Sequence, residues 1–140
     1  MTAIGVFGGT FDPIHFGHLR TAFELLQSLR LAELRFIPAG DPPHRGAPLA
    51  DASSRLAMVR AATADQPGFV VDDREVRRAG PSYTVTTLRE LRVEWPDRPL
   101  CLIVGMDAFL GLTQWLYLRR FPFFLYFDWN WDHRHCHPPM

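Results

Sequence analysis

Two histidines three residues apart, His15 and His18, close the run Gly8-Gly9-Thr10-Phe11-Asp12-Pro13-Ile14-His15-Phe16-Gly17-His18. An apolar stretch, Ala3-Ile4-Gly5-Val6-Phe7, leads into the run, and residues with helical periodicity follow it. A short buried strand, a glycine-bearing turn and a helix N-terminus together make a site for a phosphate, because backbone N–H groups and the positive end of the helix dipole converge there. Imidazoles add side-chain donors and titrate near neutrality, so their cations are within reach beside a polyanion. Taken singly, Asp12-Pro13 is an ordinary turn and His15 a solvent-facing loop residue. The eleven-residue run as a unit points to phosphate chemistry.

The rest of the chain alternates strand-like and helix-like segments that would hold this turn in place. Leu19, Ala22, Phe23, Leu26 and Leu29 fall on one helical face. Residues 34–38 form a second strand ended by Ala39-Gly40, and two prolines keep the loop at 41–50 irregular. Asp51 can cap a helix with Leu56, Val59, Ala62 and Thr63 inward, before a third strand at 69–71. Ser82 can cap a helix with Val85, Leu88, Leu91 and Trp95 inward, ended by Pro96. Trp95 reads as core. Residues 100–104 form a fourth strand, followed by Gly105-Met106-Asp107 and a short helix toward Trp115. Such alternation predicts an open α/β sheet of parallel strands with helices on both faces and ligands outside the carboxyl ends of the strands. Three loops, at 8–18, 40–45 and 105–107, then reach one edge. The first lacks both the G-x-G-x-x-G of a dinucleotide fold and the P-loop pattern, so a dehydrogenase and a P-loop NTPase are unsupported.

Composition sets the surroundings of that site. The chain has 140 residues, a single-domain size, with 15 basic and 15 acidic residues, and a balanced charge gives no footprint for nucleic acid or an anionic membrane. Every basic residue is Arg, from which no function follows. Cys101 and Cys136 make no disulfide framework, so a reducing cytoplasm is the expected location. No secretory segment is visible, and the longest apolar stretch, 121–127, is far short of the ~20 residues of a membrane helix.

The histidine run closely resembles the signature of the H-x-G-H nucleotidyltransferases. Later segments narrow the resemblance to bacterial nicotinate-nucleotide adenylyltransferases: Pro42-Pro43-His44-Arg45, the stretch at 55–58, Ser82-Tyr83-Thr84-Val85-Thr86-Thr87-Leu88, and Gly105-Met106-Asp107-Ala108-Phe109 running to Trp115, all in the family's order. The resemblance implies a Rossmann-like nucleotidyltransferase fold and transfer of the adenylyl group of ATP to nicotinate mononucleotide, with Mg²⁺ accompanying ATP. It implies no protein nucleophile, since the mononucleotide phosphate attacks and the enzyme aligns and neutralises charge. His15 and His18 would be the catalytic pair on the ATP phosphates, His18 holding the α-phosphate. Gly8, Thr10 and Phe11 would approach the nucleotide through backbone groups, with Gly105 and Asp107 near its ribose. Arg45, Tyr83, Thr84 and Trp115 would take nicotinate mononucleotide. Arg45 stands where the family commonly has Lys, which keeps the cation but changes its geometry.

The resemblance covers residues 1–115, read as an incomplete nucleotidyltransferase domain. Residues 116–140 read as an atypical tail, not native to the fold, since 8 of its 25 residues are aromatic against 10 in the preceding 115. No strand or helix period organises the tail, and the family's S-x-T-x-x-R segment does not follow. The fold is therefore expected to be C-terminally truncated, and a catalytically inactive remnant with at most nucleotide binding is the alternative function. His133, His135, Cys136 and His137 suit zinc or copper by type but match no structural zinc spacing, so no metal site is assigned. Oligomeric state stays open.

Overall fold

The computed structural model describes residues 2–43, 46–105 and 124–127, the last as backbone. Its centre is a five-stranded parallel sheet in the order β3-β2-β1-β4-β5, with β1 at Ile4–Gly9, β2 at Glu33–Pro38, β3 at Phe69–Val71, β4 at Leu100–Val104 and β5 at Phe124–Phe127. β1 pairs with β2 from Ile4↔Glu33 to Gly9↔Pro38, and with β4 from Ile4↔Leu100 to Phe7↔Ile103. The described residues form four helices, α1 at Phe16–Ser28, α2 at Ala52–Thr63, α3 at Arg74–Arg77 and α4 at Thr84–Glu94.

Side chains alternate across the strands and so divide the core between two faces. On one, Leu34, Phe36, Cys101 and Ile103 pack with Ala22, Leu25 and Leu26 of α1 and Val59 of α2. On the other, Ile4, Val6, Ile37, Leu100, Leu102 and Val104 pack with Leu88 and Leu91 of α4, and Trp95 is partly buried against them. Burial on both faces is why these strands read as apolar runs and not as alternating ones. Arg35, a charged residue within β2, stacks its guanidinium 4.5 Å from the Trp95 ring centre and pairs with Asp72 at 3.0 Å.

Several sequence expectations are corrected. The inward arc of α1 is Ala22, Leu25 and Leu26, whereas Phe23 and Leu29 sit on its rim, 44% and 41% exposed. On α2 Ala62 is exposed and Arg55 buried, because Arg55, Val59 and Thr63 recur every four residues on the inward face. Ser82 does not cap α4: Tyr83 is the N-cap, without a side-chain hydrogen bond. The single-turn α3 was not foreseen. The tail also supplies β5, which lies parallel to β4 from Cys101↔Phe124 to Val104↔Phe127, where no further strand was expected. Its Phe-Leu-Tyr-Phe sequence has the aromatic bias that suits a strand, and a ladder along β4 needs no alternation to form. No helix among the described residues is long and apolar enough to cross a membrane.

Candidate active site

β1 runs through Gly8 and Gly9 to the carboxyl edge of the sheet and then turns sharply. A Cβ on Gly8 would meet nothing closer than Ile37 O at 3.9 Å, so the fold itself does not demand glycine there and the space above it is open to a ligand. Phe11 holds a left-handed conformation, φ +49°, and its side chain is only 3% exposed. A non-glycine residue in that region costs roughly 1–2 kcal/mol, comparable to what burying a Phe ring returns. The Phe11 ring contacts Phe7 at 5.5 Å and Phe36 at 5.8 Å between centroids, and the edge-to-face pair it makes with His18 lies at 5.0 Å. The turn thus sits on an aromatic bed that also orients one histidine.

The three-residue spacing of the histidines is the spacing of a capping box. His15 is the N-cap of α1 and His18 its third residue. His15 Nδ1 accepts a hydrogen bond from Gly17 N at 3.2 Å, and His18 Nδ1 accepts one from His15 N at 3.2 Å. The rings lie 3.9 Å apart, inclined by 31°. A ring nitrogen that accepts from a backbone N–H carries no proton, so each ring holds its proton on Nε2. Each ring is thereby fixed through its Nδ1 at a helix N-terminus. Anions bind at such a terminus.

The neighbouring edge is built from the exit of β2 and the start of α4. Ser82 Oγ accepts from Gly40 N at 3.0 Å and from Asp41 N at 3.2 Å, and Ser82 N donates to Asp41 O at 2.8 Å. These bonds bring Tyr83 and Thr84 to the end of β2. Tyr83 gives the start of α4 no side-chain cap, and Thr86 N in its first turn donates to Tyr83 O at 3.1 Å. Gly40 passes so close to α3 that a Cβ would lie 2.3 Å from Glu75 O. Glu75 is 6% exposed, and burial pushes its carboxyl up to about 7 against the pull of Arg78 and a hydrogen bond from Thr87.

His15, His18, Gly8, Thr10 and Phe11 therefore come together in one turn, with Tyr83 and Thr84 at the adjoining strand end and Gly105 directly after β4 on the other side of β1. Arg45, Asp107 and Trp115 lie outside the described residues, as do His133, His135, Cys136 and His137 of the tail. No group of three or more His, Cys, Asp or Glu side chains that could hold a metal occurs among the described residues. Arg55 was given no role by the sequence, although its fourfold spacing with Val59 and Thr63 marks it as an inward-facing cation.

The chain resembles proteins named "probable nicotinate-nucleotide adenylyltransferase". It is 57% identical to that of Aeromonas hydrophila over 112 residues, 80% of this chain and 52% of the relative, and 56% identical to that of Methylococcus capsulatus over 118 residues, 84% and 56%. It spans about half the length of these curated relatives. Its fold superposes on Plasmodium falciparum nicotinic acid mononucleotide adenylyltransferase complexed with NaAD with a TM-score of 0.76 at 15% identity, covering 94% of this chain and 78% of that one. The model of the cytidylyltransferase-like family matches residues 6–128. That match takes in most of β1, the histidine turn and every strand through β5, and by it the chain belongs to the cytidylyltransferase-like family.

Proposed function

We propose that this site transfers the adenylyl group of ATP to nicotinate mononucleotide, giving nicotinate adenine dinucleotide and pyrophosphate. The observation that carries the proposal is the His15–His18 capping box, which fixes both imidazoles at the N-terminus of α1, where an anion is favoured. A phosphate oxygen of the mononucleotide attacks the α-phosphorus of ATP, the bond from that phosphorus to the bridging oxygen breaks, and pyrophosphate leaves with the electron pair. His18 donates to an α-phosphate oxygen as charge builds there, and His15 donates to the leaving phosphates. Gly8, Thr10 and Phe11 present backbone groups to the nucleotide, and Gly105 and Asp107 flank its ribose.

Arg45, Tyr83, Thr84 and Trp115 take nicotinate mononucleotide, the two aromatic residues by stacking on its ring. The uncapped start of α4 at Thr84 suits the ring carboxylate, since a helix N-terminus favours an anion. Mg²⁺ accompanying ATP would supply charge neutralisation when bound. The nearest carboxylate in the turn, Asp12, is already occupied by Leu49 N at 2.7 Å and Ala50 N at 3.0 Å, so the donors suit an ion held by substrate and water. A reducing cytoplasm fits the free, buried thiol of Cys101.

The test is pyrophosphate release by the purified 140-residue chain with ATP, Mg²⁺ and nicotinate mononucleotide, beside His18→Ala. Turnover that falls about 10²–10³-fold in the variant supports the proposal. A folded chain without turnover overturns it.

A further inference from the structure

Arg55 lies 1% exposed on α2, yet no carboxylate is bonded to it among the hydrogen bonds and ion pairs of the described residues. Its guanidinium is spent on backbone carbonyls. Nη1 donates to Thr10 O at 2.8 Å and to Ala39 O at 2.6 Å, Nη2 to Gly40 O at 3.3 Å, and Nε to Ala50 O at 3.0 Å. Thr10 belongs to the histidine turn, Ala39 and Gly40 to the exit of β2, and Ala50 to the lead-in of α2. One side chain therefore joins three loops that are distant in sequence. The histidine turn reciprocates through Asp12, whose carboxylate accepts from Leu49 N and Ala50 N.

A buried cation is costly unless fully hydrogen-bonded, and a planar fork is the only side chain able to satisfy four carbonyls in divergent directions. The carbonyl of Thr10 directly precedes Phe11, whose left-handed backbone aims its ring at His18. Gly40 in turn carries the Ser82 bonds that seat the start of α4.

We infer that Arg55 is a positioning residue: it clasps the histidine turn to the exit of β2, so that the phosphate-binding donors and the second-substrate edge are held in one geometry. The inference rests on the site assignment above. Arg55 reaches neither substrate; it acts through Thr10 on the rings and through Gly40 on the Tyr83 edge.

Arg55→Lys keeps the charge and length but offers a single ammonium in place of the fork. With ¹⁵N-labelled histidine, the wild-type chain should show both rings of the turn as neutral Nε2–H tautomers at pH 7.5. In a folded Arg55→Lys chain these signals should broaden or shift toward mixed tautomers, and kcat should fall about tenfold to a hundredfold while the KM for ATP changes less than about threefold. A variant that merely lost stability would keep the wild-type ring spectrum below its Tm. Should Arg55→Lys fail to fold, Asp12→Asn opens the clasp from the other side and should perturb the same ring signals. A folded variant with the wild-type ring spectrum overturns the inference. The spectrum also separates the two claims: no turnover by the wild-type chain defeats the proposed reaction, while the ring signals still decide the clasp.

Discussion

Replacing His18 by Glu should separate the two tasks that its ring performs. As the third residue of α1, a Glu side chain can reach back to His15 N as His18 Nδ1 does at 3.2 Å, and its charge is favourable at a helix N-terminus by about 0.3–1 kcal/mol. His18→Ala leaves that N–H to water and loses about 0.5–1 kcal/mol, because the bond is solvent-exposed and belongs at the low end of capping energies. For a chain of this size that loss is a Tm decrease of roughly 2–4 °C. Activity should order the variants differently. Alanine removes a donor to the transferring group, a loss of about 10²–10³-fold, and Glu adds a carboxylate facing a polyphosphate, so its turnover should fall below that of alanine. Thermal unfolding and pyrophosphate release on the same preparations give both orders. Turnover by the Glu variant within about tenfold of wild type would refute the phosphate role of His18. A Glu variant less stable than the Ala variant would refute the capping box.

Glu75 predicts a pH dependence of stability. Its carboxyl titrates near 7 in the folded chain and at 4.5 when unfolded, so between those values the folded state holds the extra proton. Stability from this group is full below pH 4.5, declines as pH rises through 7, and is then lost, by at most about 3 kcal/mol. Urea unfolding at pH 5 and 8 should show that decline in wild type and a flatter profile in Glu75→Gln. Gly40→Ala forces a Cβ against the Glu75 carbonyl and should cost about 2–4 kcal/mol in the same measurement; an unchanged midpoint would contradict the close approach. Ser82→Ala leaves Gly40 N and Asp41 N without their acceptor and should destabilise by about 1–3 kcal/mol, with faster amide exchange at those two residues than at their neighbours.

Strand positions and the turn were legible because their signals are local. Apolar runs bounded by glycine and proline mark β1 to β4, and the eleven-residue run carries its own geometry, since N-cap and third residue are set by spacing alone. What escaped depends on contacts between distant segments. Ser82 has the chemistry of a cap, but its hydroxyl is taken by Gly40 and Asp41, some forty residues away in sequence. Arg55 was given no role because nothing nearby in sequence shows that four carbonyls await it. Phe23 and Leu29 are apolar enough for the core, and only the direction from which the sheet meets α1 leaves them at its rim. The strand at 124–127 has no alternation to betray it and is defined by its partner β4.

The division of the core between the two sheet faces has a consequence for the order in which the chain assembles. The face covered by α1 and α2 draws nearly all its members from residues 3–71, lacking only Cys101 and Ile103. The opposite face has three early members, Ile4, Val6 and Ile37, and waits for Leu88, Leu91, Leu100, Leu102 and Val104. A chain emerging from its N-terminus can therefore close one side of the sheet, and set the histidine turn on it, while the other side of β1 is still bare. In pulse-labelled refolding, amides of α1 and β2 should gain protection before those of α4 and β4. The phosphate donors would then be in place before the strand that completes the other half of the cleft has arrived.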